Sequence, residues 1–507
     1  MNKFLLLSLL LYTNLMMSQS LYTLETNNVS ALISDGGTFF ENAFTSSHAY
    51  EVPYGSNSHT MYSMSFWMYG TDMSSSHHSS YSSYSSNVEL VAGPVADDYD
   101  SDYYQSNFTS AIWSVTQAEI DMHLANYGNT GYVVPSSIAD WPGSGDATEG
   151  VAANLAPYID ANSNEVYDPE NGDAPFIEGD KAVYVILNDV NAPDVVAGPP
   201  LEVEVHVMFY QLATADPLNN TTFFNVKVFN RGSFSYPDFK FGVFADFDLG
   251  NFSDDYWGCD STDNYMFAYN ADNNDEDGLG ITGYGTNPPA AGIVSLSHEL
   301  NSAQTFNSGT EPAGYQNYYN MMMGDQANGT PHTHFDGHET NFQYSDQLIQ
   351  EYSEVNLGNP PGDRRGLMVV SPGSLLSGTS HCMDYAVVYH KNPAGDNIQN
   401  AEELDSIVNF VQSYYDQNIQ PCDSYMASTS ELEQLELSLF PNPSNGTFNV
   451  SADEPTQLEI FSMSGQLIYK ELLSPGIHVI DLKEADGIYL LKASNGKSVL
   501  SQKIIIE

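Results

Sequence analysis

The chain has 507 residues, with 65 Asp+Glu against 13 Lys+Arg and a formal net charge of −52. Hydrophobic residues make up 41% and aromatics 12%, enough for packed cores, so wholesale disorder is excluded. A surface this negative repels phosphate backbones and anionic headgroups, which argues against nucleic acid and simple membrane adsorption; its carboxylates suit hard cations such as Ca²⁺.

Residues 1–20, MNKFLLLSLLLYTNLMMSQS, combine Lys3, an apolar run from Phe4 to Tyr12 and small residues at Ser18 and Ser20. That order reads as a signal peptide. The run is too short to span a bilayer, and no transmembrane segment is expected elsewhere.

Residues 21–200 read as a mixed N-terminal region. Within it, SSSHHSSYSSYSS (74–86) is low in complexity and predicts a mobile loop, with His77 and His78 solvated. SVTQAEIDMHLANYG (114–128) predicts a helix capped by Thr116, with Glu119 as its capping-box partner.

A loop from Asp160 to Asp173 carries oxygen donors at Asp160, Asn162, Asn164 and Asp168, with the Val166 carbonyl between them. Positions one, three, five, seven and nine of such a loop are the ones Ca²⁺ uses. The segment resembles the calcium loops of EF-hand, dockerin and thrombospondin-type repeats. Two departures are Glu165 at the usual turn glycine and Asn171 at position twelve, so Asp173 or Glu170 would complete the shell. The alternative is an Asx-rich turn capped by its own side chains.

Residues 201–416 predict an antiparallel β-sandwich body with a terminal helix. LEVEVHVMFYQL alternates Val203, Val205, Val207 and Phe209 with Glu202, Glu204, His206 and Met208, the pattern of a half-buried strand with His206 solvated. TTFFNVKVFN (221–230) and FKFGVFADFD (239–248) come next, joined by a turn, and GLMVVS (366–371) and MDYAVVYH (383–390) add two strands around a Pro-Gly turn.

Asp246 and Asp248 fall on one face at the end of such a strand, with Asp254, Asp255 and Asp260 close behind. A cation or a solvated acidic loop would each account for them. Asn270, Asp272, Asn274 and Asp277 form a weaker candidate. His332, His334 and His338, with Asp336 and Glu339, could hold a transition metal but read as a polar surface loop. Arg364 and Arg365 predict a structural ion pair with nearby acids. NAEELDSIVNFVQSYYD (400–416) predicts a helix with Leu404, Ile407, Val408, Val411 and Tyr415 on one face and Asn400 with Glu403 at its cap.

Residues 417–436 read as a linker. The segment 437–507 has 8 acids and 5 Lys, a net of −3, against −49 for residues 1–436, and its seven short strands predict an immunoglobulin-like sandwich. Three cysteines, Cys259, Cys382 and Cys422, allow at most one disulfide and a spare thiol.

In that tail LFPNPSNGTFNV carries Pro441, Asn442, Pro443 and Gly446; LEIFSMSGQLIYK carries Gly465; and IHVIDLKEADGIYLLKASNG carries Gly487. These elements, in this order, resemble the type A C-terminal sorting domain of Bacteroidota proteins exported by the type IX secretion system. The resemblance implies an address read by the secretion machinery and then removed, leaving cargo released or attached to surface lipopolysaccharide. The body, through segments such as WPGSGD, DLGNFSDDYWGCD and PPGDRRGLMVVSPG, resembles a group of large secreted Bacteroidota proteins with the same tail and no assigned activity.

No G-x-S-x-G elbow, phosphate loop or C-x-x-C pair occurs. The expected function is therefore a calcium-stabilised, non-enzymatic β-protein, secreted or held at the outer cell surface, for adhesion or for binding glycans or extracellular proteins. The alternative is a secreted hydrolase acting on polysaccharide or protein, which two carboxylates facing each other across an aromatic cleft, or a closed three-histidine site, would favour.

Overall fold

Val203, Val205, Val207 and Phe209 point to one face of the strand Val203–Gln211, as their period-2 spacing requires, and all are fully buried. The computed structural model describes residues 19–422 and 437–506, apart from 109, 194–197, 279, 308, 346–351, 453–454, 463–466, 484, 486 and 495–498. The signal-peptide segment and the 417–436 linker fall largely outside the described residues.

Nine antiparallel strands form the larger sheet, in the order Val91–Ala92, Lys181–Asn188, Val203–Gln211, Thr222–Asn230, Ser380–His390, Ala290–Ser295, Tyr265–Asn270 and Asp255–Asp260, with Ile112–Thr116 also paired to Lys181–Asn188. The second sheet runs Leu300–Phe306, Arg364–Leu375, Tyr236–Phe247, Ser63–Thr71 and Thr38–Phe39, with His77–Tyr81 paired to Ser63–Thr71. The main core joins Val183, Val205 and Phe224 of the larger sheet to Phe66, Phe241 and Val243 of the smaller. The body is an antiparallel sandwich, as expected.

Several expectations change in detail. The larger sheet is buried on its second face too, where Phe223 and Ala386 lie under the helix Asn397–Asn418 and Tyr184 packs against Trp141. His206 is therefore not solvated. It is fully buried, hydrogen-bonded to Glu204 at 2.9 Å and Tyr184 at 2.7 Å, while Arg231 holds the same Glu204 oxygen at 2.5 Å. Burial opposes the Glu204 charge, but Arg231 and His206 outweigh it and keep the carboxyl at about 2.

Within the Ser-rich segment, His77–Tyr81 is a strand rather than part of a mobile loop. Its hydroxyls find carbonyl acceptors, Ser80 bonding to Glu89 O at 2.9 Å, and Tyr81 and His78 are buried. The strands Thr222–Asn230 and Tyr236–Phe247 do not pair with each other; the connection between them crosses from one sheet to the other. The strand Arg364–Leu375 continues through Pro372 and Gly373, and the chain turns after it. Strands on either side of residue 200, Lys181–Asn188 and Val203–Gln211, are hydrogen-bonded neighbours, so residues 21–200 share both sheets with residues 201–416.

The capping box of Thr116 and Glu119 forms, although the helix begins at Gln117 after a strand through Thr116. The long helix starts earlier than expected, capped by Asp396 with Gln399. Asn400 instead accepts from Asn392 N–H, and Glu403 meets His390 at 2.9 Å. Cys382 and Cys422 form a disulfide, and the buried Cys259 thiol donates to Gln343 O.

The tail is two sheets, one of Leu437–Phe440, Thr447–Ala452 and Gly476–Asp481, the other of Leu467–Leu473, Thr456–Ser462, Gly487–Ser494 and Val499–Ile506. Phe448, Val450, Leu458, Ile460, Ile480 and Leu491 close a core of its own. Among the described residues no helix is long and apolar enough to cross a membrane.

Candidate functional site

The outer face of the smaller sheet is apolar where the helix Tyr315–Met322 covers it, with Trp67, Phe244, Phe306, Tyr318 and Leu367 in contact. Continuing the row from Phe244 by steps of two, Asp246 and Asp248 emerge at the end of that cover. A third carboxylate, Asp363, joins them from the segment before the strand Arg364–Leu375. Oxygens of the three lie within 4.8 Å of one another. They face a cavity of about 400 Å³ whose walls include Glu41, Tyr62, Tyr84 and Arg365.

Partners satisfy only part of this group. Tyr84 OH donates to Asp246 Oδ2 at 2.8 Å, Arg365 Nη1 meets Asp363 Oδ2 at 3.1 Å, and His48 Nδ1 lies 3.5 Å from Asp248 Oδ2. Asp246 Oδ1 and Asp363 Oδ1 are buried with no hydrogen-bond partner, and the Asp246 side chain is only 6% exposed. Burial, then the neighbouring Asp248, push the Asp246 carboxyl well above its ordinary range, against the pull of Arg365. Asp248 is raised by burial as well. One guanidinium does not neutralise three carboxylates, so the group either holds protons or a cation.

The other predicted acids do not join it. Asp255 is fully buried and its Oδ2 accepts from Leu249 N–H at 3.0 Å, while Asp254 sits beside Asn270. Asp260 meets Asp263 and Asp405 near the long helix. Asn270 and Asp272 each accept a backbone N–H two residues on, and Asp277 accepts from Gly283. Of the arginine pair, Arg364 forks onto Glu354 at 3.0 and 2.6 Å as a buried ion pair, and Arg365 faces the cavity. Asp363, Glu41, Tyr62, Tyr84 and His48 were not singled out by sequence; the one local signal was an acid preceding the Arg pair.

The loop from Asp160 folds inward around its own side chains. Asp160 accepts from Ser163 and Glu165 N–H at 2.6 and 2.9 Å, and Asn162 and Asn164 turn their amides to Asp168 at 2.9 and 3.0 Å. Val166 N–H donates to Asn164, and the buried Asp173 accepts from Ala161 and Asp168 N–H. Glu165, at the usual glycine position, takes the left-handed conformation with φ 62°.

In the tail Pro441 and Pro443 both follow cis peptide bonds, and Asn442 between them bonds to Lys503 O and Ile505 N. Gly446 has φ 95°, and a side chain there would meet the Leu482 carbonyl at 2.6 Å. Gly487 opens a strand, and Gly465 lies outside the described residues.

No curated protein matches the chain. Solved structures with some likeness include an Escherichia coli K12 protein described as a putative aldose 1-epimerase, at 11% identity and TM-score 0.26, covering 74% of this chain and 100% of that one. A polysaccharide lyase matches at 10% identity and TM-score 0.19, covering 64% and 35%. PorZ, a surface component of the type IX secretion system of Porphyromonas gingivalis, matches at 10% identity and TM-score 0.14, covering 70% and 48%. At such scores these likenesses fix neither the fold nor the activity of the body. Residues 438–507 match the secretion system C-terminal sorting domain. With its own closed core and its Pro-Asn-Pro element in place, this tail is a type A sorting domain, and the protein is type IX secretion cargo, destined for the medium or the outer cell surface.

Proposed function

We propose that the body is a calcium-stabilised, non-enzymatic surface or secreted β-protein that binds glycans or extracellular proteins, with Asp246, Asp248 and Asp363 as its main cation ligands. The observation that carries this reading is the pair of buried, unpartnered oxygens on Asp246 and Asp363 beside Asp248. Calcium–oxygen bonds of about 2.3–2.6 Å place opposite ligands about 5 Å apart, so oxygens within 4.8 Å fit around one ion. The Asp160 loop is a second calcium candidate, with Asp160, Asn162, Asn164, Asp168, Asp173 and the Val166 carbonyl as ligands. Tyr62 and Tyr84 give the Asp246 cavity aromatic surface for a sugar or a side chain.

The test is thermal melting in chelator, in CaCl₂ and in NaCl of equal ionic strength. A ligand that binds only the native state adds about 2.7 kcal/mol at a hundredfold excess over Kd, so calcium is expected to raise the melting temperature by several degrees where NaCl does not. Asp160→Ala with Asn162→Ala removes the contribution of the loop, and Asp248→Asn that of the cavity. Identical shifts with the two salts would contradict the reading.

A further inference from the structure

The segment Pro331–Thr340 folds as a small hairpin, with His332 paired to Thr340 and Thr333 to Glu339. Its base is fixed on both sides. Asp325 bridges Pro331, Phe342 bridges Ala303, and the buried ring of His332 reaches Gln304 Oε1 at 3.2 Å. At the tip His334 N–H donates to His338 O at 2.9 Å, and Gly337, at φ 92°, allows the turn to close. This places the two imidazoles face to face, with ring centroids 4.6 Å apart and planes 25° from parallel.

Asp336, inside the turn, reaches both rings through one oxygen. Its Oδ1 lies 3.2 Å from His334 Nδ1 and in hydrogen-bond contact with His338 Nδ1. One atom from each of the three residues falls within 4.8 Å of the others. His334 Nδ1 is itself shielded from solvent and makes no hydrogen bond of acceptable geometry. Tyr352 packs its ring 4.6 Å from that of His334, limiting the positions this ring can take.

We infer that His334, Asp336 and His338 form a binding site for a borderline divalent cation, with Zn²⁺ the best match. Two imidazole nitrogens and a carboxylate oxygen are zinc ligands, whereas Ca²⁺ prefers an all-oxygen shell. Three protein ligands leave the fourth tetrahedral position to water. Asp336 and His338 are 52% and 59% exposed, so that position faces solvent and can accept a donor from a bound partner. The site is separate from the Asp246 cavity and does not depend on calcium there.

Isothermal titration of the full chain with ZnCl₂, in saturating CaCl₂ to occupy oxygen-only sites, tests the assignment. One equivalent of zinc is expected to bind, and substituted Co²⁺ should give the visible absorption of a low-coordinate nitrogen–oxygen site. His334→Ala and His338→Ala should each weaken zinc binding by roughly 100-fold, at the upper end of what perturbing a metal site costs. His77→Ala should leave it unchanged. Because His338 is exposed, His338→Ala should melt as the parent does in chelator, which separates ligand loss from misfolding. No zinc uptake by the parent, or equal uptake by the His334→Ala/His338→Ala double variant, overturns the inference.

Discussion

Asp246 and Arg365 are direct cross-strand partners, and the Arg365 Nε lies 3.8 Å from Asp246 Oδ2 with both side chains nearly buried. The same guanidinium meets Asp363 and hydrogen-bonds to Tyr84. It is the chief countercharge to a group with one more negative charge in Asp248. Arg365→Leu is therefore expected to destabilise the calcium-free body by about 3 kcal/mol or more, as loss of one partner of a buried ion pair does. Chemical denaturation in chelator measures this, and saturating calcium should recover part of the loss.

Asp248→Asn acts in the opposite direction. Removing one buried like charge should stabilise the calcium-free body by about 1 kcal/mol while lowering its calcium response. Melting curves in chelator and in calcium give both numbers. A variant less stable than the parent in chelator would mean that Asp248 is held by a partner other than a cation.

The pH dependence of stability arises from acids raised by burial. Asp189 and Glu178 are pushed up to about 7 and Asp275 to about 6. Unfolding returns each to its ordinary value of 3.8 or 4.5, so the folded chain holds the extra protons between those limits. Stability conferred by these groups is then greatest at low pH and falls as pH rises to about 7. Glu204, held at about 2, contributes the reverse: its stabilisation is full above about 4.5 and is lost as pH falls towards 2. In chelator the melting temperature should be higher at about pH 5 than at about pH 8, and calcium should narrow the gap. A higher value at the alkaline end would contradict this account.

The disulfide between Cys382 and Cys422, 40 residues apart in sequence, ties the end of the long helix to a central strand of the larger sheet. Closing a loop of that length is worth about 4 kcal/mol in the chain-entropy model. Cys382→Ser or Cys422→Ser should lower the unfolding free energy by about 2–4 kcal/mol, read from denaturant midpoints with and without reductant.

Much of the architecture is legible in the sequence. Period-2 runs such as Val203–Phe209 name their strands, and the spaced Pro, Asn and Gly positions of the tail identify a domain whose core closes within itself. The alternation of Glu204 and His206 misleads because the second face of the sheet is covered there too, Val95 N–H donating to Glu204 at 2.8 Å, so these polar residues are buried as a pair instead of solvated. The serines of 79–80 hide a strand because polar bonds such as Ser80 Oγ–H to Glu89 O take the place of apolar burial. At the candidate site the shared face of Asp246 and Asp248 was readable. Asp363, Glu41 and Tyr84 were not, since they come from segments brought together only by sheet pairing.

Removing residues 437–507 tests the export route independently of the body. The tail has its own core, so the truncated protein should fold and melt as the body does. It should collect in the periplasm instead of reaching the surface or medium. Fractionation and immunoblotting of cells carrying the deletion read this out, and normal surface delivery would contradict the sorting role.

The most direct test of the calcium reading is anomalous X-ray scattering from crystals of the body grown in CaCl₂. The account predicts an anomalous peak between Asp246 Oδ1, Asp363 Oδ1 and the Asp248 carboxylate, with oxygen distances of about 2.3–2.6 Å, absent from crystals grown in chelator. A cavity without anomalous density at saturating calcium, its three carboxylates unmoved, would contradict it.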